Sequence, residues 1–372
     1  MSAVGKTGYV FREEYMWHST GLAANYIAPG GYVQPDMAHA ESSDSKRRID
    51  GLLSVAGIKK HLQVIDDFEP LSDDQIALFH TRDYMRRIKE MSDNGGGDAG
   101  ELTPFGQGGY EIAALSAAGP LVAGRAILNG QIENAYVLNR PPGHHAEADI
   151  GRGFCIFGNG VLAAMNLRKE FGDMKIAMLD WDVHHGNGAQ KAFYRDPTTL
   201  VMSIHQYKNY PQDSGFVEEA GEGDGYGYNI NVPLPPGSGH GAYLHTIDTV
   251  VVPAIEAFKP DMIFVLSGFD AGAVDPLGRN MAHSGTYREM TLKMKSLANR
   301  FCNGKLLVMH EGGYSPAYTP FCGISVVEAL TGINTGVKDP FFEILSGYGM
   351  QELQPHQAEM IAQSAALTKY IK

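Results

Sequence analysis

Cysteine is scarce in this sequence. Three residues, Cys155, Cys302 and Cys322, lie far apart in 372 residues and outside any Cys-x-x-Cys pair. That spacing excludes a disulfide framework or a cysteine zinc site and points to a reducing compartment, most simply the cytoplasm. No apolar run approaches the roughly 20 residues that cross a bilayer, so no membrane partner is expected. The opening MSAVGKTGYVFREEYM has neither the apolar core nor the small-residue cleavage site of a secretory signal. Positive charge is also short: 30 Lys and Arg against 42 Asp and Glu leave a formal net charge of −12. Such a chain has no bulk field for holding phosphates, which sets nucleic acid aside as a partner. The most basic stretch, Lys46-Arg47-Arg48, reads as the solvated face of an amphipathic helix. The glycine runs at 95–97 and 106–109 lack a following Gly-Lys-Ser/Thr, and no Gly-x-Ser-x-Gly elbow occurs.

Apolar residues make up 44% of the chain, enough for an ordinary globular core. Short apolar runs alternate with helical stretches. Strands are expected at 134–139, 175–180, 199–204, 262–267 and 305–309, with a weaker one at 62–66. Helices are expected at 110–128, 158–171, 241–258, 286–301 and 325–332. Strands that are apolar on both faces and alternate with helices imply an α/β domain with a doubly covered parallel sheet. No repeat or composition break divides it, so one domain over residues 1–372 fits better than two.

In such sheets ligands sit beyond the carboxyl ends of the strands, and here those ends carry unusual chemistry. Run 134–139 leads into Arg140-Pro-Pro-Gly-His144-His145, where Gly143 would permit an unusual backbone angle. Run 175–180 leads into Asp180-Trp-Asp182-Val-His184-His-Gly-Asn187-Gly. His205 and then Tyr210 follow the third run, Asp270 the fourth, and Glu311-Gly-Gly-Tyr314 the fifth. On an extended strand Asp180, Asp182 and His184 would share one face. Two carboxylates and an imidazole facing together ask for a cation, and with Asp270 they offer an open catalytic metal site. The plainer reading makes these acids helix caps or loop formers, because a helix starts at Asn187-Gly188. Rigidly held His144 and His145 suit proton transfer, although a His-His pair alone is as well explained as a polar loop. Tyr314 could donate to a developing oxyanion; an isolated Gly-Gly-Tyr would otherwise be a turn with a packed aromatic. Cys155 reads as a buried small residue.

In this order PPGHH, GFCIF, DWDVHHGNG, SGFDA and EGGY closely resemble the zinc-dependent histone deacetylase family, nearest to its bacterial histone deacetylase-like amidohydrolases. The resemblance covers about residues 8–335. It implies the arginase/deacetylase α/β fold, with a central eight-stranded parallel sheet and a C-terminal helix at about 356–371 packed on it. Asp182, His184 and Asp270 would then bind one Zn2+ per chain, and ferrous iron suits the same ligands. Asp180 would bond His144 and help hold a structural potassium ion with Ser203 and backbone carbonyls. His145 would be the general base and then the acid, His144 would act electrostatically, and Tyr314 would bind the acetyl oxygen. Gly153 and Phe154 would line a narrow tunnel for an acyl-lysine stem, and Glu101 would contact substrate at the rim.

Departures from the family pattern refine this expectation. Asn187 stands where some members carry Asp, so an amide would orient His145. Tyr210 replaces the usual Phe of the second tunnel wall and adds a hydroxyl at the mouth. Leu277 occupies the place of a glutamate in a polyamine-selective relative, which disfavours acetylpolyamines. The implied activity is hydrolysis of the acetyl amide of acyl-lysine or related small N-acyl amides, releasing acetate. The rival readings are an acetylpolyamine amidohydrolase, a two-manganese ureohydrolase and a non-catalytic acyl-ligand binding protein. The ureohydrolase is disfavoured because Asp270 is followed by Ala271-Gly272 rather than a second bridging acid. The resemblance also implies a homo-oligomer, a dimer or tetramer.

Overall fold

Alternate residues of a strand face opposite sides of a sheet, and in this chain both sets are apolar. Ala177, Leu179, Ile263, Val265, Leu306 and Val308 enter one core; Ile176, Met178, Phe264, Leu266, Leu307 and Met309 enter the other. A sheet fed this way must be covered on both faces. The computed structural model describes residues 6–372, and in it eight strands form one all-parallel sheet. They are β1 (Thr7–Val10), β2 (Gln63–Ile65), β3 (Asn134–Val137), β4 (Ile176–Asp180), β5 (Thr199–Gln206), β6 (Asn229–Leu234), β7 (Met262–Ser267) and β8 (Leu306–His310). Their order across the sheet is β6-β5-β4-β7-β8-β3-β1-β2. The ends of β3, β4, β5, β7 and β8, which carry the acids, imidazoles and phenol, are thus neighbours. Register aligns Asp180 with Ser203 on one side and Leu266 on the other.

Helices Gly109–Leu128 and Asn159–Phe171 cover one face. Ser284–Phe301 and Thr319–Thr331 cover the other, together with Asp44–Val55. Gly109–Leu128 is longer and more apolar than the sequence reading allowed, matching a membrane span in length and composition. Its apolar length is accounted for by burial within the protein, where most of its residues are covered. The expected helix 241–258 is two α-helices, His240–Thr246 and Val252–Phe258, joined by a π-helical turn at Ile247–Val251. The expected C-terminal helix is shorter, Pro355–Ala365, followed by a 3-10 turn at Thr368–Tyr370. It packs through buried Ile361 and through Ser364 Oγ, which donates to the Asn231 carbonyl of β6 at 2.7 Å.

The basic stretch on the helix Asp44–Val55 is not uniformly solvated. Arg47 and Arg48 are exposed, but Lys46 is fully buried, its Nζ 3.1 Å from Glu41 Oε1. Arg140, at the end of β3, places Nε 3.0 Å from the same oxygen. The expectation of a single solvated face fails because residues 46 and 47 are about 100° apart on a helix and so point to different surroundings.

Candidate active site

β4 ends at Asp180, so the acids and imidazole that follow are not carried by strand alternation. Trp181 turns into the core, with Nε1 donating to Ser267 Oγ at 3.0 Å. Asp180 faces His144, its Oδ2 2.9 Å from Nδ1, while its Oδ1 accepts from the Asp182 N–H. Asp182 belongs to a different group. Its Oδ1 and Asp270 Oδ2 each lie 3.0 Å from His184 Nδ1. The remaining oxygens hold the loops: Asp182 Oδ2 accepts from Gly312 N–H and Asp270 Oδ1 from Val183 N–H, both at 2.8 Å. The acids therefore do serve as loop formers, and the same geometry aims their other oxygens at one point.

One ligand atom from each of Asp182, His184 and Asp270 lies within 4.8 Å of the others, and all three residues are buried. Metal bonds of about 2.0–2.2 Å require donors roughly 3–3.5 Å apart, which these separations approach. Charge agrees with geometry. Burial, then the neighbouring Asp182 carboxylate, pushes Asp270 up to about 8. Burial would lower His184, yet Asp270 and Asp182 hold it at about 10. A proton at the focus of two carboxylates stands where a dication would be better accommodated, so the donor set fits a metal with N,O preference. A second group, His144, Cys155 and Glu311, also converges and includes one of the cysteines whose spacing excludes a cysteine zinc site. There Glu311 Oε2 is already engaged by the Gly143 and His144 N–H groups, and burial raises the Cys155 thiol.

Gly312 carries a prediction. A Cβ at this position would overlap Asp270 Oδ2 and lie 2.7 Å from Asp182 Oδ2. G312A is expected to weaken metal affinity by about 10–100-fold, the usual cost of disturbing the groups that hold ligands, as measured by competition with a chelating dye. Gly143 is also sterically required: a Cβ there would lie 2.5 Å from the Asn159 nitrogen, whereas its φ is not in the left-handed region. The expected unusual backbone angle is thus replaced by a close approach.

His144 and His145 are both buried and differ in charge environment. Burial opposes protonation of His144, but Asp182 and Asp180 lift it to about 10. Burial, then His144 and His184, holds His145 well below its usual value. Its Nδ1 lies 2.7 Å from Asn187 Oδ1. A cavity of about 500 Å3 opens above these groups, within the range of small-molecule sites. His145, His184 and Tyr314 line it, as do Gly153, Phe154, Tyr210, Leu277 and Glu101. Gly153 and Phe154 both adopt positive φ, 50° and 72°, and a Cβ on Gly153 would collide with His145. The Tyr210 hydroxyl is buried without a partner, not open at the mouth as expected. Asp182, Asp270, Asp180, His144, Asn187 and Ser203 lie outside the lining. Ser203 Oγ lies 2.9 Å from His205 Nδ1 and accepts from Gly186 N–H at 3.4 Å.

Sequence reading missed Arg152, Asp213 and Tyr26 at the cavity and Glu147 behind it; Glu311 had been quoted with its motif but given no role of its own. Arg152 joins Glu101, Glu147 and Asp213. Arg152 directly precedes the quoted GFCIF and Glu147 lies two residues after PPGHH, a signal available in the sequence; Tyr26 sits in an irregular loop that offers none.

Comparison with known proteins agrees with this geometry. The histone deacetylase domain model matches residues 39–330. The chain is 45% identical over 342 residues to a histone deacetylase-like amidohydrolase of Pseudomonas aeruginosa, covering 91% of this chain and 90% of that one. It is 34% identical over 338 residues to a probable deacetylase of Archaeoglobus fulgidus, covering 90% and 89%. The crystal structure of the HDA15 HD domain superposes with a TM-score of 0.85 at 27% identity, covering 99% of this chain and 95% of that one.

Proposed function

The chain belongs to the histone deacetylase family and is a deacetylase, and from that premise we propose that it hydrolyses the acetyl amide of acyl-lysine or related small N-acyl amides with zinc as its metal. The observation that carries this reading is the convergence of His184, His145 and Tyr314 on one cavity, with Asp182 and Asp270 behind it. Zinc held by Asp182, His184 and Asp270 supplies a Lewis acid for the carbonyl and lowers the pKa of water.

The chain's own residues do the rest. Asn187 Oδ1 engages Nδ1 of His145, which leaves Nε2 as the basic nitrogen to take a proton from water and return it to the departing amine. Asp180 fixes the His144 ring, whose charge favours the anionic transition state. The Tyr314 hydroxyl donates to the carbonyl oxygen as charge develops there. Phe154 and Tyr210 flank an alkyl stem and exclude water from it. Structural potassium near Asp180 and Ser203 belongs to the same proposal. So does a dimer or tetramer, supported by exposed Trp17, Leu22, Tyr32 and Met37. Three buried free cysteines support a cytoplasmic location.

Substrate class is tested by measuring kcat/KM on an acetyl-lysine peptide and on acetylputrescine with zinc-loaded protein and potassium present. Leu277 presents no carboxylate to an inner ammonium, and the rim acids Glu101 and Asp213 both lie against Arg152. The peptide is therefore expected to win by about tenfold or more. A clear preference for acetylputrescine would replace the substrate assignment and leave the chemistry intact. Failure to cleave either would favour a binding protein or longer acyl chains.

A further inference from the structure

An asparagine is an ambiguous partner for a catalytic histidine. Its two ends are nearly isosteric, but one accepts a hydrogen bond and the other donates. If Oδ1 faces His145, Nδ1 carries the proton and Nε2 is basic. With Nδ2 facing it, the tautomer reverses and the base is lost. An aspartate would not have this choice. What settles the choice lies on the far side of Asn187. Its Nδ2 donates to Glu147 Oε1 at 2.8 Å and to the His145 carbonyl at 3.1 Å. Turning the amide over would set Oδ1 against these two acceptors. Glu147 is itself held: its side chain is 11% exposed, Arg152 Nη1 donates to Oε1 at 3.1 Å, and Lys191 Nζ to Oε2 at 2.6 Å. Two cations thus engage both of its oxygens, and a carboxylate offers the Asn187 amide only acceptors.

We propose that Glu147 is a positioning residue that locks the Asn187 amide and thereby the His145 tautomer required for catalysis. Nδ2 donation to a carboxylate also polarises the amide and strengthens Oδ1 as the acceptor from His145. The same carboxylate connects through Arg152 to Glu101 at the cavity rim, Arg152 Nε donating to Glu101 Oε2 at 2.8 Å. This role rests on His145 being the base.

The test is a double-mutant cycle on zinc-loaded protein. E147L removes the acceptor at similar volume and is expected to lower kcat about tenfold or more, the effect of a misassigned imidazole tautomer, with KM little changed. E147Q keeps an acceptor oxygen and loses less. N187D supplies an acceptor that cannot be turned over, but sets a carboxylate against Glu147 and is impaired alone. In the N187D background E147L, or E147Q should the leucine variant be insoluble, is expected to restore activity rather than reduce it. Imidazole 15N shifts give an independent readout: His145 carries its proton on Nδ1 in the parent and on a mixture of nitrogens in E147L. Equal losses in both backgrounds, or an unchanged tautomer, would overturn the role of Glu147. Full activity in H145A would instead overturn the assignment of the base.

Discussion

Replacing Tyr314 by phenylalanine is expected to reduce kcat by about 100-fold or more, the usual cost of removing one oxyanion donor. The substitution isolates the hydroxyl because the ring has its own supports. The Tyr314 N–H donates to Asp275 Oδ2 at 2.7 Å, and the ring meets Phe154 edge-on at 5.6 Å between centroids. None of Asp182, His184 and Asp270 donates to or accepts from Tyr314, so metal content and melting temperature should match the parent. Burial, then the Asp270 and Asp182 carboxylates, raises the phenol well above its usual pKa. It therefore remains a neutral donor at working pH and does not itself titrate the rate. Steady-state kinetics on the acetyl-lysine peptide check the loss, and it should fall on kcat more than on KM because the bond strengthens as charge develops. A Y314F enzyme within a fewfold of the parent would mean that the carbonyl oxygen is stabilised by other groups.

Much of this site could be read from the sequence because its residues follow strand ends within short contiguous motifs. Six strands announced themselves as apolar runs. β1 did not, since Thr7–Val10 has four residues and includes Gly8, too little for a periodic signal. β6 did not because Asn229–Leu234 contains two asparagines and Pro233. A proline removes a ladder donor and is confined to sheet edges, which is where β6 lies. The division of Asp180 from Asp182 came with the family resemblance and was hidden from the strand pattern. It depends on β4 ending one residue before the loop turns, and strand boundaries are not encoded by local pattern alone. Glu147 and Arg152 gain meaning only from partners brought close by the fold: Asn187 lies 40 residues from Glu147 in sequence, and Glu101 lies 51 from Arg152. Their chemistry is legible as charge, and their task is not.

Glu41 shows what such hidden contacts are worth to stability. Its side chain is fully buried between Lys46 and Arg140, both also buried. Arg140 spends its other donors on the Tyr15, His18 and Glu41 carbonyls, at 3.1, 2.7 and 3.1 Å. Removing the carboxylate leaves two buried cations without a counter-charge, so E41Q is expected to lose about 3–5 kcal/mol. Burial opposes ionisation of Glu41, but Arg140 and then Lys46 override it and lower the carboxyl to about 2. A folded pKa below the unfolded value near 4.3 means that this stabilisation is present above that value and lost as pH falls toward 2. The difference in unfolding free energy between parent and E41Q should therefore be largest at neutral pH and shrink steadily below about pH 4. Urea titrations at several pH values check both magnitude and slope. A pH-independent difference would assign the loss to packing around residue 41 and not to its charge. Because Lys46 Nζ also lies 5.6 Å from the Tyr314 ring centroid, E41Q should lower kcat as well. One helix side chain, expected from sequence to be solvated, thus belongs both to the buried charge cluster and to the surroundings of the Tyr314 ring.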